Sequence, residues 1–193
     1  MSNQGQSSTA SAGLKEAQSR NQAFAAAGGH EGAEMRAALR LFVITCMDPR
    51  LDPAHFMGLR LGDAIVLRNG GGRVTTEVIN NLAFISERIE PVVPEGPLFE
   101  VALIHHTHCA AAALADEEFL RQYARRVEMD ESLVRDFAVV DPVETVAKDA
   151  AKLLAASSIS PRVAVSGHVY DVESGLLTTV VPTAMVGTVQ AAA

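Results

Sequence analysis

Three short apolar runs constrain this chain most: LRLFVIT over Leu39–Thr45, AIVLR over Ala64–Arg68 and LFEVALIH over Leu98–His105. Each is rich in Val, Ile or Leu, is too short for a core helix, and runs straight into a polar loop, so each reads as a buried strand. Helical patterns lie between and after them. Thr75 or Thr76 can cap a helix with Glu77 in its first turn. Val78, Ile79, Leu82, Ile85 and Ile89 fall on one face of that helix, and Pro91, Pro94 and Pro97 stop it. Polar helices are expected over 116–127 and 131–137, and another over 142–156 with Pro142 in its first turn. A fourth strand is expected over Arg162–Tyr170 and a fifth over Leu176–Val181. Strands alternating with helices imply crossover connections. The expected fold is α/β: a mostly parallel central sheet of four to five strands flanked by helices, with an N-terminal helical extension over 14–40 broken into two pieces at Gly28 and Gly29.

A length of 193 residues suits one domain with a real core. Residues 1–13 are rich in Ser, Gln, Gly and Ala and are expected to be a disordered start. A single domain is expected over 14–187, with a frayed tail over 188–193. The formal net charge of −7 leaves no broad basic face, which argues against a nucleic-acid partner. No apolar run approaches the roughly 18–20 residues needed to span a bilayer, so no membrane partner is expected. The N-terminus lacks the basic start and apolar middle of a secretory signal, and a cytoplasmic location follows by default.

The polar loops after the first and third strands carry the chemistry. The first reads CMDPR, with Cys46, Asp48 and Arg50; the third delivers His106 and Cys109 within HHTHC. In an open α/β sheet, ligands bind at the carboxyl ends of the strands. Two thiolates and an imidazole suit zinc, and three protein ligands leave a fourth position for water, the arrangement of a catalytic site. Zinc lowers the pKa of bound water to about 7. Asp48, clamped by Arg50, stays ionised and can orient the resulting hydroxide. If Arg50 is not engaged, Asp48 can itself take the fourth position and close the site. Cys46 and Cys109 are the chain's two cysteines, and a redox pair or two inert buried thiols remain open alternatives.

CMDPR, RNGGG over Arg68–Gly72 and HHTHC, in this order, resemble the β-class carbonic anhydrases, and the likeness runs from about Leu41 to Ala110. GHVYDVESGLL, near the C-terminus, is similar to the closing strands of the short bacterial and archaeal branch, which also includes carbonyl sulfide and carbon disulfide hydrolases. The resemblance implies that Cys46, His106 and Cys109 are zinc ligands, that Asp48 and Arg50 are the catalytic dyad, and that Arg68, Asn69 and the glycines pack against the site. It implies hydration of carbon dioxide to bicarbonate by zinc-bound hydroxide in a homodimer or higher homo-oligomer, with N-terminal helices embracing the partner. Carbonyl sulfide or carbon disulfide hydrolysis at the same zinc is the alternative. A non-catalytic zinc-stabilised module, closed by Asp48 or His108, is the third reading. Ala110 stands where the family usually has Gly, His108 where it has Asp or Gly, and Gly70 where Ala is common. Phe56, Met57, Gly71, His108 and Ala110 are the candidate pocket residues. His105 is expected to be a hydrogen-bonded strand residue, His168 to be structural, and His55 to be a further candidate for the pocket lining.

Overall fold

The structure is a computed structural model describing residues 11–188, and the chain divides after Met35 into two units. The first unit contains helix α1, Ala12–Ala26, whose start is capped by the Ser11 hydroxyl accepting from the Leu14 amide. The helix therefore begins inside the stretch expected to be disordered; the rest of that expectation, and most of the tail, lies outside the described residues. The second helical piece expected up to Arg40 does not form. Gly28 and Gly32 both take the left-handed conformation, as does Arg40. The few residues left between those breaks are too short to sustain a helix.

The second unit is built on a five-stranded sheet of order β2-β1-β3-β4-β5. In chain order its elements are β1 (Leu41–Cys46), α2 (Pro53–Phe56), β2 (Ala64–Asn69), α3 (Thr76–Ile89), β3 (Phe99–His106), α4 (Glu117–Val127), α5 (Glu131–Asp136), α6 (Pro142–Leu154), β4 (Val163–Tyr170) and β5 (Leu177–Met185). Strands β1 to β4 are parallel, and β5 pairs antiparallel with β4. The fifth strand continues past Val181, where the sequence reading ended it, through Pro182 to Met185. An edge strand tolerates a residue that cannot donate to the ladder.

Central strands β1 and β3 are buried on both faces, which is why they read as unbroken apolar runs. On one face Phe42, Ile44, Val101 and Leu103 pack with Val78 and Leu82 of α3 and with Val146 and Leu153 of α6. On the other, Val43, Ala102 and Ile104 meet Phe56, Met57 and Leu59. Each fully buried Leu or Ile contributes roughly 1.5–3 kcal/mol. Aspartates start the later helices: Asp116, Asp130 and Asp141 each accept from first-turn amides.

Register is what positions the site. Thr45 lies opposite Ile104, and Cys46 opposite Asn69, so β1, β2 and β3 end close together at one edge. The chain leaves β1 for β2 on one side and then crosses to β3 on the other. That reversal opens a crevice at the strand ends. Among the described residues, no helix is long and apolar enough to cross a membrane.

Candidate metal centre

Cys46 closes β1, His106 closes β3, and Cys109 follows after a tight turn in which His108 adopts a left-handed φ of 54°. All three are buried, and one ligand atom from each lies within 4.8 Å of the others. The sulfurs are 4.0 Å apart and both thiols are free. A disulfide needs about 2.05 Å. Two thiolates on one tetrahedral zinc, each at about 2.3 Å, would sit about 3.8 Å apart. The imidazole supplies the second test. Its Nδ1 lies 2.9 Å from the Thr107 carbonyl, which can only accept, so Nδ1 carries the proton. Nε2 is then a bare lone pair, buried with no hydrogen-bond partner among the described residues. An orphaned lone pair facing two thiols fits a divalent cation such as zinc.

The thiols behave as one acid. A hydrogen bond from Cys109 lowers the pKa of Cys46 against the opposing effect of burial. Cys109 is pushed far up by that same bond and by burial.

At the mouth, Arg50 donates from Nε to Asp48 Oδ1 at 2.9 Å and from a terminal nitrogen to Oδ2 at 2.7 Å. The Arg50 amide adds a third bond to Oδ1. These hydrogen bonds hold the Asp48 carboxyl down to about 2. Arg50 also donates to the His108 carbonyl at 3.1 Å, tying the two ligand loops together. Arg68 braces the same loop from β2, bonding the Cys46 carbonyl at 3.1 Å and the Asp48 carbonyl at 2.7 Å.

The glycine run packs directly on the ligand strands. Gly72 has a φ of +69°, and a Cβ there would lie 3.0 Å from Cys46 N and Thr45 C and 3.2 Å from Ile104 O. These are backbone atoms, which cannot yield. Gly70 is different: the nearest contact to its Cβ would be the Met47 methyl at 3.9 Å, so the Ala common in the family pattern would fit.

A groove of about 770 Å³ opens beside the thiols, walled by Met47, Asp48, Gly70, Gly71, Ala110, Ala111 and Leu114 and, from α4 onward, by Phe119, Tyr123, Met129 and Phe137. Gly71 and Ala110 are among its walls. Phe56 and Met57 do not line it. The Phe56 ring packs on Tyr170 at 4.6 Å, under the thiols, and Met57 joins the core beneath β1 and β3. A four-residue helix that begins at a buried Pro53 carries Phe56 and ends at Met57, and both side chains pack toward the sheet. The His108 side chain also points away, pairing with Glu173 at 3.3 Å. His55 is exposed beside Asp52, His105 donates to the Gly72 carbonyl, and His168 sits half-buried between Ser166 and Thr179. Sequence reasoning missed the α4 wall. Its signal was present: Phe119 and Tyr123, one turn apart on an otherwise charged helix, stack at 6.2 Å.

A model of the carbonic anhydrase family matches residues 41–177, the span that contains every residue of this centre. The chain belongs to the β-carbonic anhydrase family. Beta-carbonic anhydrase 1 of Mycobacterium tuberculosis is 32% identical over 144 residues, covering 72% of this chain and 81% of that protein. A carbon disulfide hydrolase of an Acidianus strain is 25% identical over 158 residues, covering 70% and 74%. Among solved structures, a carbonic anhydrase from Streptococcus mutans superposes with a TM-score of 0.72 at 31% identity, covering 89% of this chain and 99% of that one. A carbon disulfide hydrolase in its apo form shares the fold, with a TM-score of 0.57 at 21% identity. This β-carbonic anhydrase relative is thus an enzyme of the carbonic anhydrase type, with a Cys-His-Cys site at its strand ends.

Proposed function

We propose that this enzyme hydrates carbon dioxide to bicarbonate at a zinc ion held by Cys46, His106 and Cys109. The observation that carries the reading is the bare His106 Nε2 buried beside two sulfurs 4.0 Å apart, with Asp48 engaged by Arg50 rather than turned toward them. Zinc held there would supply the Lewis acidity that makes water a nucleophile near neutral pH. Asp48, kept ionised by Arg50, accepts a proton-bearing solvent O–H and fixes its orientation. Both its oxygens are held by Arg50, which supports an open site over one closed by Asp48, and one acceptor position is left for solvent. Arg50 holds the two ligand loops in register through Asp48 and His108. The family's dimeric or higher assembly extends to this chain, supported by the exposed Phe119 and Tyr123 beside the groove.

Carbonyl sulfide or carbon disulfide hydrolysis is the second reading. It is favoured by the apolar groove walls (Met47, Leu114, Phe119, Met129) and by relatives named as carbon disulfide hydrolases. Stopped-flow carbon dioxide hydration run beside sulfide release from both sulfur compounds separates the two. Rapid hydration without sulfide supports the first reading, and sulfide release with slow hydration replaces it with the second. Loss of both activities and of metal in Cys109→Ser is expected in either case.

A further inference from the structure

Behind the glycine run lies a charged pair that the proposed chemistry leaves unused. Asp149 of α6 is 0% exposed and Arg73, just after the glycines, 3% exposed. Arg73 Nε bonds Asp149 Oδ2 at 2.6 Å, and a terminal nitrogen bonds Oδ1 at 3.2 Å. The remaining guanidinium nitrogen bonds the Ala138 carbonyl at 3.1 Å and also reaches the Asp136 carbonyl. Asp149 Oδ2 accepts the Val74 amide at 3.0 Å, and Lys152 approaches Oδ1 at 3.2 Å. Buried ion pairs are a poor route to stability, because desolvating both charges offsets most of their attraction. What this pair does provide is direction. Its fork is rigid and bidentate, and it joins three parts of the chain, two of which pack beside the thiol site.

The first is the loop Gly70–Val74. Asn69 brackets its far end, bonding the Arg73 carbonyl and amide at 2.8 Å each, and His105 grips the Gly72 carbonyl at 3.2 Å. The loop packs on the ligand strand, where a Cβ at Gly72 would lie 3.0 Å from the Cys46 amide nitrogen. The second is the segment after α5. Its Val139 packs against Cys46 and Cys109, with a methyl 3.0 Å from where a Gly71 Cβ would be. The third is α6 itself, which lies on the sheet.

We propose that Arg73 and Asp149 are positioning residues of the metal centre: the pair locks the glycine loop against the Cys46 main chain and the Val139 segment against the two thiols. Neither touches metal or substrate. Outer-shell partners of this kind change metal affinity by roughly 10–100-fold. The inference rests on the Cys46, His106 and Cys109 metal reading.

The test loads cobalt(II) into wild-type enzyme, Asp149→Asn, Arg73→Lys and Leu153→Ala. Leu153 is buried on the same helix but contacts only core, so it controls for loss of stability alone. The sulfur-to-cobalt charge-transfer band and cobalt retention against a chelator are the readouts. Both variants of the pair are expected to shift the band and retain cobalt at least about tenfold more weakly, while Leu153→Ala keeps the wild-type band and affinity. Should Asp149→Asn fail to fold, Arg73→Lys, which keeps the charge but loses the fork, carries the test. Wild-type band and affinity in Arg73→Lys, or an equal shift in Leu153→Ala, would show a merely structural pair and overturn the proposal. A wild-type enzyme that takes up no cobalt would instead overturn the metal reading, and this inference with it.

Discussion

Two glycines of one run, Gly70 and Gly72, have opposite tolerances, because the first faces a flexible methyl and the second faces main chain. Gly72→Ala adds a Cβ 3.0 Å from two backbone atoms at a left-handed φ. It is expected to cost at least about 2 kcal/mol in urea melts and to release bound metal. Gly70→Ala is expected to change stability by less than about 0.5 kcal/mol. Asp48→Asn retains the shape of the Arg50 contact but not its charge. It should keep full metal content while hydration slows by on the order of 10²-fold or more. Equal loss of metal would mean that Asp48 holds the site together rather than orienting solvent. At this scale the sequence was most legible where chemistry restricts residue type: CMDPR and HHTHC named the residues that converge. Phe56, Met57 and His108 were misplaced because the direction of a side chain on a short helix or a left-handed turn depends on backbone angles that no spacing reveals.

Helix α6 joins stability to the site through Asp149. Burial works to raise the pKa of that carboxyl, but hydrogen bonds from Arg73 and the Val74 amide outweigh it and hold the value below the ordinary range. A carboxyl depressed on folding contributes in full above its unfolded pKa of about 3.9, and the contribution fades as pH falls toward the folded value. Asp149→Asn should therefore lower stability at pH 7 by about 3 kcal/mol and flatten the acid limb of the stability curve. Urea melts between pH 7 and pH 3 would check it, and an unchanged acid slope would contradict it. The elements themselves were largely visible, since doubly buried strands leave unbroken apolar runs and β1 and β3 sit mid-sheet. The missing helix before Arg40 was not, because helical composition outweighed three left-handed positions in the reading. The Arg73–Asp149 link was invisible for another reason: its partners are 76 residues apart and share no motif.

For the whole molecule, the sheet order brings Cys46 and His106 together from strands 60 positions apart, and everything proposed depends on that convergence holding one ion. Crossover connections implied a mostly parallel sheet, whereas the order β2-β1-β3 and the groove wall from α4 and α5 came only with tertiary packing. X-ray absorption at the zinc edge of the protein as purified tests the convergence most directly. One zinc per chain is expected, with two sulfurs at about 2.3 Å and two lighter ligands at about 2.0–2.1 Å. A protein without zinc whose cysteines are bonded to each other, or a zinc with fewer than two sulfur neighbours, would contradict it.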